Sequence, residues 1–409
     1  MNPALFKNKV DTRKIVIFGA GKIGRSFIGQ LFGCSGYQVV FIDTDQSIIA
    51  GLNRQGYYRV IIKGEREEEI IVPNVRAISA FENQQVIENV ATAGLVAVSV
   101  GKSSLEKILP LIAAGLELRL SYYPHSPLDI IIAENMRDAA DFCRKHLKGM
   151  LPRGYPFESH VGLVETSIGK MVPIMSKADI GKDPLAIYAE SYNTLIADGK
   201  GFKLPVTDVK GLVLKENIKA WVDRKAFIHN LGHATAAYFG FNRHPEAKFL
   251  FEVLDDPVVL HFTKEVMLQS AAILLVAYPK DFTINGLEEH IDDLLRRFRN
   301  RALQDTIYRI GHDLNRKLGA DDRFMGAIHL AIKVNMPYDK IIEAMCYGLH
   351  FGAKDEDGNI FNPDFEFTES LTKEFETRLI QNLGFDPDID GPVIKELKRL
   401  YIQNQLIGQ

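Results

Sequence analysis

Cysteine is scarce in this sequence: three in 409 residues, Cys34, Cys143 and Cys346, far apart and without CxxC spacing. That excludes a disulfide framework, and an odd count reads as reduced thiols in a cytoplasmic chain. An excess of one charge is also missing. Lys+Arg number 49 against 52 Asp+Glu, a net charge of −3, which favours solubility without the basic footprint of a nucleic-acid binder. No run approaches 18 apolar residues; the longest, such as Leu95–Val100 and Ile130–Ala133, are strand-sized and point to a core rather than a membrane. Met1 to Lys14 carries five charges and no apolar stretch, so no secretory leader is read there. Repeats and low-complexity tracts are absent as well. With 46% apolar and 25% charged residues, the composition excludes disordered, collagen-like and coiled-coil classes. The length implies two or three domains, each able to bury a core without disulfides or structural metals.

What is present is a change of periodicity. Lys14–Phe18 is a continuous apolar run ending in glycine, Lys22–Phe32 has helical spacing, and Tyr37–Ile42 is a second buried strand. Strand, helix and strand in about 30 residues make a βαβ unit of a parallel sheet. Leu95–Val100 and Asp129–Ala133 read as later parallel strands, with Val161–Val164 and Met171–Pro173 closing the layer. Tyr58–Ile62 and Glu69–Val72 flank Lys63-Gly64 as a hairpin. Asp198–Asp208 is rich in Gly, Pro and charge, as a linker would be. Beyond it the spacing turns helical over Glu216–Tyr238, Asp255–Ala277, Gly286–Asn300, Thr306–Leu318, Arg323–Val334, Tyr338–Leu349, Phe367–Leu383 and Pro392–Gln405. The expected fold is α/β: a Rossmann-type parallel-sheet domain over residues 1–200, then an all-helical domain over 201–409.

Gly19-Ala20-Gly21-Lys22-Ile23-Gly24 fits GxGxxG between a strand and a helix, the context that gives this motif weight. Gly19 permits the tight turn, Gly21 lets backbone approach a pyrophosphate, and Gly24 lets the helix pack on the sheet. The helix N-terminus offers N–H groups to the phosphates. Asp43, 19 residues after Gly24, ends the second strand, where a carboxylate accepts ribose hydroxyls and repels a 2′-phosphate. The expected cofactor is NAD rather than NADP. Two weaker patterns are set aside as surface turns. Gly101-Lys102-Ser103 lacks the first glycine of a P-loop, and Asp386–Gly391 has Leu397 where a calcium loop needs Glu.

Hydride transfer at a secondary alcohol needs a base for the hydroxyl proton and donors for the developing alkoxide. Asn135 stands at the end of a buried strand, where substrates of open sheets gather. Past the linker, Lys225, Asn230 and His233 fall within a sector of about 140° on an ideal helix. His229 and His233 also have the i, i+4 spacing of zinc ligands. Asn-Leu-Gly between them brings no catalytic Glu, so His229 reads as structural and no metal is assigned.

These features resemble the polyol-specific long-chain dehydrogenases, the mannitol dehydrogenase family, and within it the branch acting on mannitol 1-phosphate. The similarity rests on Phe18–Gly29 (FGAGKIGRSFIG), Ile131–Met136 (IIAENM), the Lys225/Asn230/His233 block, Arg309–Phe324 (RIGHDLNRKLGADDRF) and Gly348–Phe351 (GLHF). The resemblance implies a metal-independent NAD oxidoreductase with Lys225 as general acid/base and Asn135 and Asn230 as the oxyanion pair. It also implies that His233 binds a substrate hydroxyl, with Arg309, Arg316 and Lys317, joined by Arg323, meeting a phosphate. Two positions depart from the family pattern: His312 replaces an Arg, and Gly169-Lys170 replaces Asp-Arg. The expectation is interconversion of D-mannitol 1-phosphate and D-fructose 6-phosphate, the alternative being free mannitol or a hexuronate such as tagaturonate or fructuronate. The expected assembly is a monomer or small homo-oligomer.

Overall fold

Alternate residues of β1 (Asp11–Phe18) feed two separate cores. Ile15 and Ile17 join one apolar cluster, Val16 and Phe18 another, and all four are almost fully buried. A strand apolar on both sides needs helices over both faces of its sheet. In the computed structural model, which describes residues 9–407 other than 65, 174, 176 and 207, Phe27, Ile28, Leu31 and Phe32 cover one face. The helices Asn83–Thr92 and Lys102–Tyr122 cover the other through Val86, Val90, Leu105, Leu109 and Ile112.

The remaining strands are β2 (Gln38–Asp43), β3 (Tyr58–Ile62), β4 (Glu68–Val72), β5 (Val75–Ser79), β6 (Ala93–Val98), β7 (Leu128–Ile132), β8 (Val161–Ser167), β9 (Ile187–Ala189), β10 (Leu195–Asp198) and β11 (Leu212–Lys215). The large sheet runs β11-β10-β8-β7-β6-β1-β2-β5. From β8 to β5 every pairing is parallel; β10 lies antiparallel to β8, and β11 parallel to β10. Chain order reverses on either side of β1, whose neighbours are β2 and β6, and that is where open sheets bind ligands. The β3–β4 hairpin forms as expected and gains β9 as a third strand.

Several expectations need correction. Met171–Pro173 is not a strand. Polar ties hold that segment instead: the Met171 amide donates to the Glu190 carboxylate, and the buried Lys170 ammonium donates to Gln30 (3.0 Å) and Asn193 (2.7 Å). The sheet is closed by β10 and β11. The boundary near residue 200 therefore falls between two of its strands, and the compact units are Met1–Val222 and Asp223–Gln409. The Gly- and Pro-rich stretch Asp198–Asp208, whose Thr207 lies outside the described residues, is pinned to β7 by Asp129 accepting the Lys203 and Leu204 amides at 2.8 and 3.1 Å. The leader reading of Met1 to Lys14 also falls largely outside the described residues.

The second unit is helical; among its described residues the β contact is the single bridge Phe249–Thr306. Thr306–Leu318 is two short helices, Ile307–Gly311 and Leu314–Lys317, not one. Asp313 takes a left-handed φ of 71°, and the buried Asp364 carboxylate accepts the amides of Asp313 (2.8 Å) and Leu314 (2.7 Å), starting a new helix there. Glu216–Tyr238 becomes the helix Ile218–Arg224, a π-helical turn Lys225–Asn230, and the helix Leu231–Arg243. Asp386–Gly391 is not a surface turn throughout, because Asp390 is buried and accepts the Asp386 amide at 2.9 Å near the start of the helix Pro387–Ile407. Pro257–Ala277 is long and apolar enough by length and composition to cross a membrane, although Lys264 and Glu265 break any continuous apolar run. Here Val259, Val266 and Met267 are buried as it packs on Leu231–Arg243, Ile284–Phe298 and Asp339–Gly348.

Candidate active site

The turn after β1 is built around one peptide. Gly19 has a φ of +96°, and a Cβ there would stand 2.5 Å from the Ser99 carbonyl oxygen, so glycine is needed for both conformation and space. The Gly19 amide donates to Ile42 at 2.8 Å. The next residue is held at both ends: the Ala20 amide donates to Asp43 Oδ2 at 2.6 Å, and the Ala20 carbonyl accepts from the buried Arg25 Nε at 2.7 Å. Arg25 is tied in turn to the Leu185 carbonyl at 2.7 Å. Lys22 is exposed, Ile23 packs into the core, and a π-helical turn, Gly24–Gly29, runs into Gln30–Gly33. π-Turns inside helices recur at functional sites.

Asp43 Oδ1 also accepts the amides of Thr44 (2.7 Å) and Asp45 (3.0 Å). A carboxylate offers about four lone-pair sites, so three N–H bonds leave capacity for a ribose hydroxyl. A Cβ on Gly21 would meet nothing within 4 Å, which leaves an open cradle above the turn for a pyrophosphate. These residues fit NAD. Asp43→Ala is expected to leave three amides without their acceptor, weaken NAD about tenfold and raise the relative use of NADP. Cofactor titration against both dinucleotides checks this.

The neighbouring strand ends are braced as well. Glu134, buried just past β7, accepts the amides of Val100 (2.7 Å) and Gly101 (3.0 Å) beyond β6. Asn135 follows it, exposed, two residues beyond the last buried alanine of the β7 run.

In the second unit, Lys225 opens the π-turn that ends at Asn230. Burial, reinforced by Arg323 and Arg316 against the opposing Asp322, lowers its ammonium to about 7. That is the range a proton-transfer group needs near neutrality. The Asn230 carbonyl accepts from Arg323 Nη1 at 3.3 Å, joining the Lys225 block to the Arg309–Arg323 segment. His233 stacks on Phe298 (centroids 4.7 Å apart, planes 23°) and its Nε2 stands 3.3 Å from Asp305 Oδ2. Burial lowers its pKa despite Asp305, so the ring is neutral at pH 7. His229 is buried beside it, 6.1 Å between ring centroids, and packs on Phe298. The 140° sector drawn for an ideal helix does not apply as such, because an i→i+5 turn separates Lys225 from His233.

The basic residues are less available than their count implies. Arg309 grips Asp305 with two nitrogens, Nε at 2.6 Å. Arg316 binds Asp313 (2.5 Å) and Asp322 (3.4 Å), and the buried Arg323 binds Asp322 (2.8 Å). Lys317 is buried, donates to the Ile310 carbonyl at 2.6 Å, and is lowered to about 7 by burial and by Arg323 and Arg316. Its ammonium is committed to the end of the preceding helix. His312 stacks on Tyr308 at 4.8 Å and touches the Tyr308 carbonyl through Nδ1 at 2.9 Å.

Lys225, Asn230, His233, Arg309, Arg316 and Arg323 thus share one polar region of the second unit, whereas Asn135 and the glycine turn belong to the first. Sequence reasoning missed Arg25 and Asp305, both buried partners of residues it did select. Arg25 follows Gly24 directly, and Asp305 precedes Arg309 by one helical turn; that spacing was the available signal for Asp305.

The glycine turn thus lies at the switch point of a parallel sheet, and the lysine–amide–histidine block lies on the helical unit that follows it in the chain. Residues 13–211 match the mannitol dehydrogenase Rossmann domain and residues 217–384 the mannitol dehydrogenase C-terminal domain, so the chain belongs to the mannitol dehydrogenase family. Among solved structures it is similar to the Pseudomonas fluorescens mannitol 2-dehydrogenase, solved as a ternary complex with NAD and D-mannitol. That match has 16% identity and a TM-score of 0.74, covering 97% of this chain and 92% of that one. It is also similar to a D-sorbitol dehydrogenase in substrate-free form, with 16% identity and a TM-score of 0.76 over 97% and 93% of the two chains. At that identity the likeness is one of fold.

Proposed function

We propose that the protein interconverts D-mannitol 1-phosphate and D-fructose 6-phosphate with NAD, using Lys225 as general acid/base. The observation that carries the chemistry is a lysine held near neutrality by burial and two guanidinium groups, inside the block that the family match covers. Gly19, Gly21, Gly24 and Asp43 hold the cofactor; NAD, when bound, accepts a hydride from the alcohol carbon or returns one to the ketone. In oxidation the neutral Lys225 amine takes the hydroxyl proton as the carbonyl forms, and in reduction the ammonium gives it back. Asn230 donates an amide N–H to the developing alkoxide without changing charge. His233 accepts a neighbouring hydroxyl. The chain's own groups supply the acid/base function, so no metal is assigned.

The phosphate preference rests on Arg309, Arg316 and Arg323 lying close together, since guanidinium groups grip phosphate bidentately. A second reading has its own observation. Each of those cations already faces Asp305, Asp313 or Asp322, and a self-compensated network suits a neutral polyol. NADH oxidation with fructose 6-phosphate set beside fructose, tagaturonate and fructuronate decides between them. The expected result is a kcat/KM at least tenfold higher for the phosphate, lost selectively in Arg316→Ala. Equal loss with phosphorylated and free sugars would remove the phosphate reading and leave the polyol one.

A further inference from the structure

His233 and Arg309 sit on different helices, Leu231–Arg243 and Ile307–Gly311, and one carboxylate meets both. Asp305 lies just before the second helix, with its backbone fixed: its carbonyl accepts the Leu250 amide at 2.9 Å, and its neighbour Thr306 is bridged to Phe249. Its side chain is only 10% exposed. Oδ1 accepts Arg309 Nε at 2.6 Å, and Oδ2 takes Arg309 Nη2 while standing 3.3 Å from His233 Nε2. That last contact is out of line for a full hydrogen bond. The imidazole is stacked on Phe298, which limits the tilt of its plane.

We infer that Asp305 is a positioning residue that holds Nε2 of His233 and the guanidinium of Arg309 in one clamp, so that Nδ1 of His233 is the nitrogen offered to a substrate hydroxyl. This deepens the reading of His233 given above and rests on it. An ionised carboxylate only accepts, so the ring nitrogen facing it carries the proton, and in neutral imidazole the other nitrogen is then the acceptor. Arg309 has a second effect. By neutralising Asp305 it keeps the carboxylate from drawing a further proton onto the ring, and an imidazolium accepts nothing. Other groups around the ring act the same way. Arg323 disfavours the charged form, and the buried His229 stands alongside as a second neutral imidazole. Asp305 itself, raised by burial, is brought down to about 2 by His233 and Arg309, so it stays ionised across the working range.

The test uses the full chain labelled with 15N-histidine. Long-range proton–nitrogen spectra at pH 7, with the His233 signals identified by their loss in His233→Gln, should show Nε2 protonated and Nδ1 bare. Asp305→Asn should erase that preference, and Arg309→Met should raise the pH at which the ring takes its second proton. In kinetics, Asp305→Asn should raise the sugar KM about tenfold more than it lowers kcat and leave NAD affinity unchanged. In the His233→Gln background it should add less than twofold. A wild-type His233 protonated on Nδ1, or an undiminished effect of Asp305→Asn without His233, overturns the clamp. If the spectra come out as stated and no polyol or ketose turns over, the clamp stands and the proposed substrate class falls.

Discussion

Lys225→Ala is expected to cut turnover by about 10²- to 10⁴-fold, the usual contribution of a positioned acid/base, while NAD affinity stays at the wild-type value. The separation follows from placement, because Lys225 lies in the helical unit and the glycine turn in the other. The sign of the pH dependence follows from the lowered ammonium. Alcohol oxidation needs the neutral amine, so its kcat/KM should rise as pH passes upward through about 7. Ketone reduction needs the ammonium and should fall over the same interval. Both limbs should vanish in the alanine variant. Steady-state rates in both directions from pH 5 to 9, beside fluorescence titration of NADH, measure all of this; a variant turning over at the wild-type rate ends the assignment of Lys225.

Gly24→Ala carries the second large effect. A Cβ at that position would stand 1.9 Å from the Gly19 carbonyl oxygen and 3.0 Å from its carbon, both backbone atoms that no rotamer change can move aside. The turn must therefore shift, and Ala20, held between Asp43 and Arg25, shifts with it. Overpacking of this kind costs roughly 1–3 kcal/mol, which corresponds to about five- to 150-fold in NAD affinity if the strain falls on the turn. Gly21→Ala supplies the contrast. Its Cβ meets no protein atom, so the thermal midpoint should stay put while NAD binding weakens. Calorimetric melting with and without NAD separates the two. Equal loss of stability in both variants would mean that Gly21 is packed rather than open.

Much of the first unit could be read from the chain itself, because strands buried on both faces leave uninterrupted apolar runs and the glycine spacing sits where strand meets helix. β9, β10 and β11 could not. They are three or four residues long, two of them on the outer side of β8, and nothing in such short segments separates a ladder from a loop. The same limit explains the boundary set near residue 200: Gly, Pro and charge mark a break in regular structure, and here the break is a loop inside the sheet. The helical unit was legible as helices but not at its joints. His312-Asp313 looks continuous by periodicity, and only a distant carboxylate, Asp364, makes it a new helix start. Among site residues, those with a strong local pattern were found. Arg25 and Asp305 were not, because each matters through what it holds, and the partner of a side chain is set by the tertiary fold. The basic cluster was the reverse case. Its four cations were visible in sequence, whereas the pairing of the three arginines with neighbouring carboxylates, and of Lys317 with a backbone carbonyl, became visible only in three dimensions.

The π-turn Lys225–Asn230 has a genetic consequence. Such a turn houses one residue more than an α-helix of the same rise, so deleting a single residue from this stretch should yield a more regular helix. The same deletion would leave the flanking helix in place but re-aim the residues of the wide turn itself, Lys225 and Asn230 among them, relative to His233. Length in this helix is therefore under a constraint that stability alone would not impose. A survey of single-codon deletions should find a folded protein here, and an inactive one.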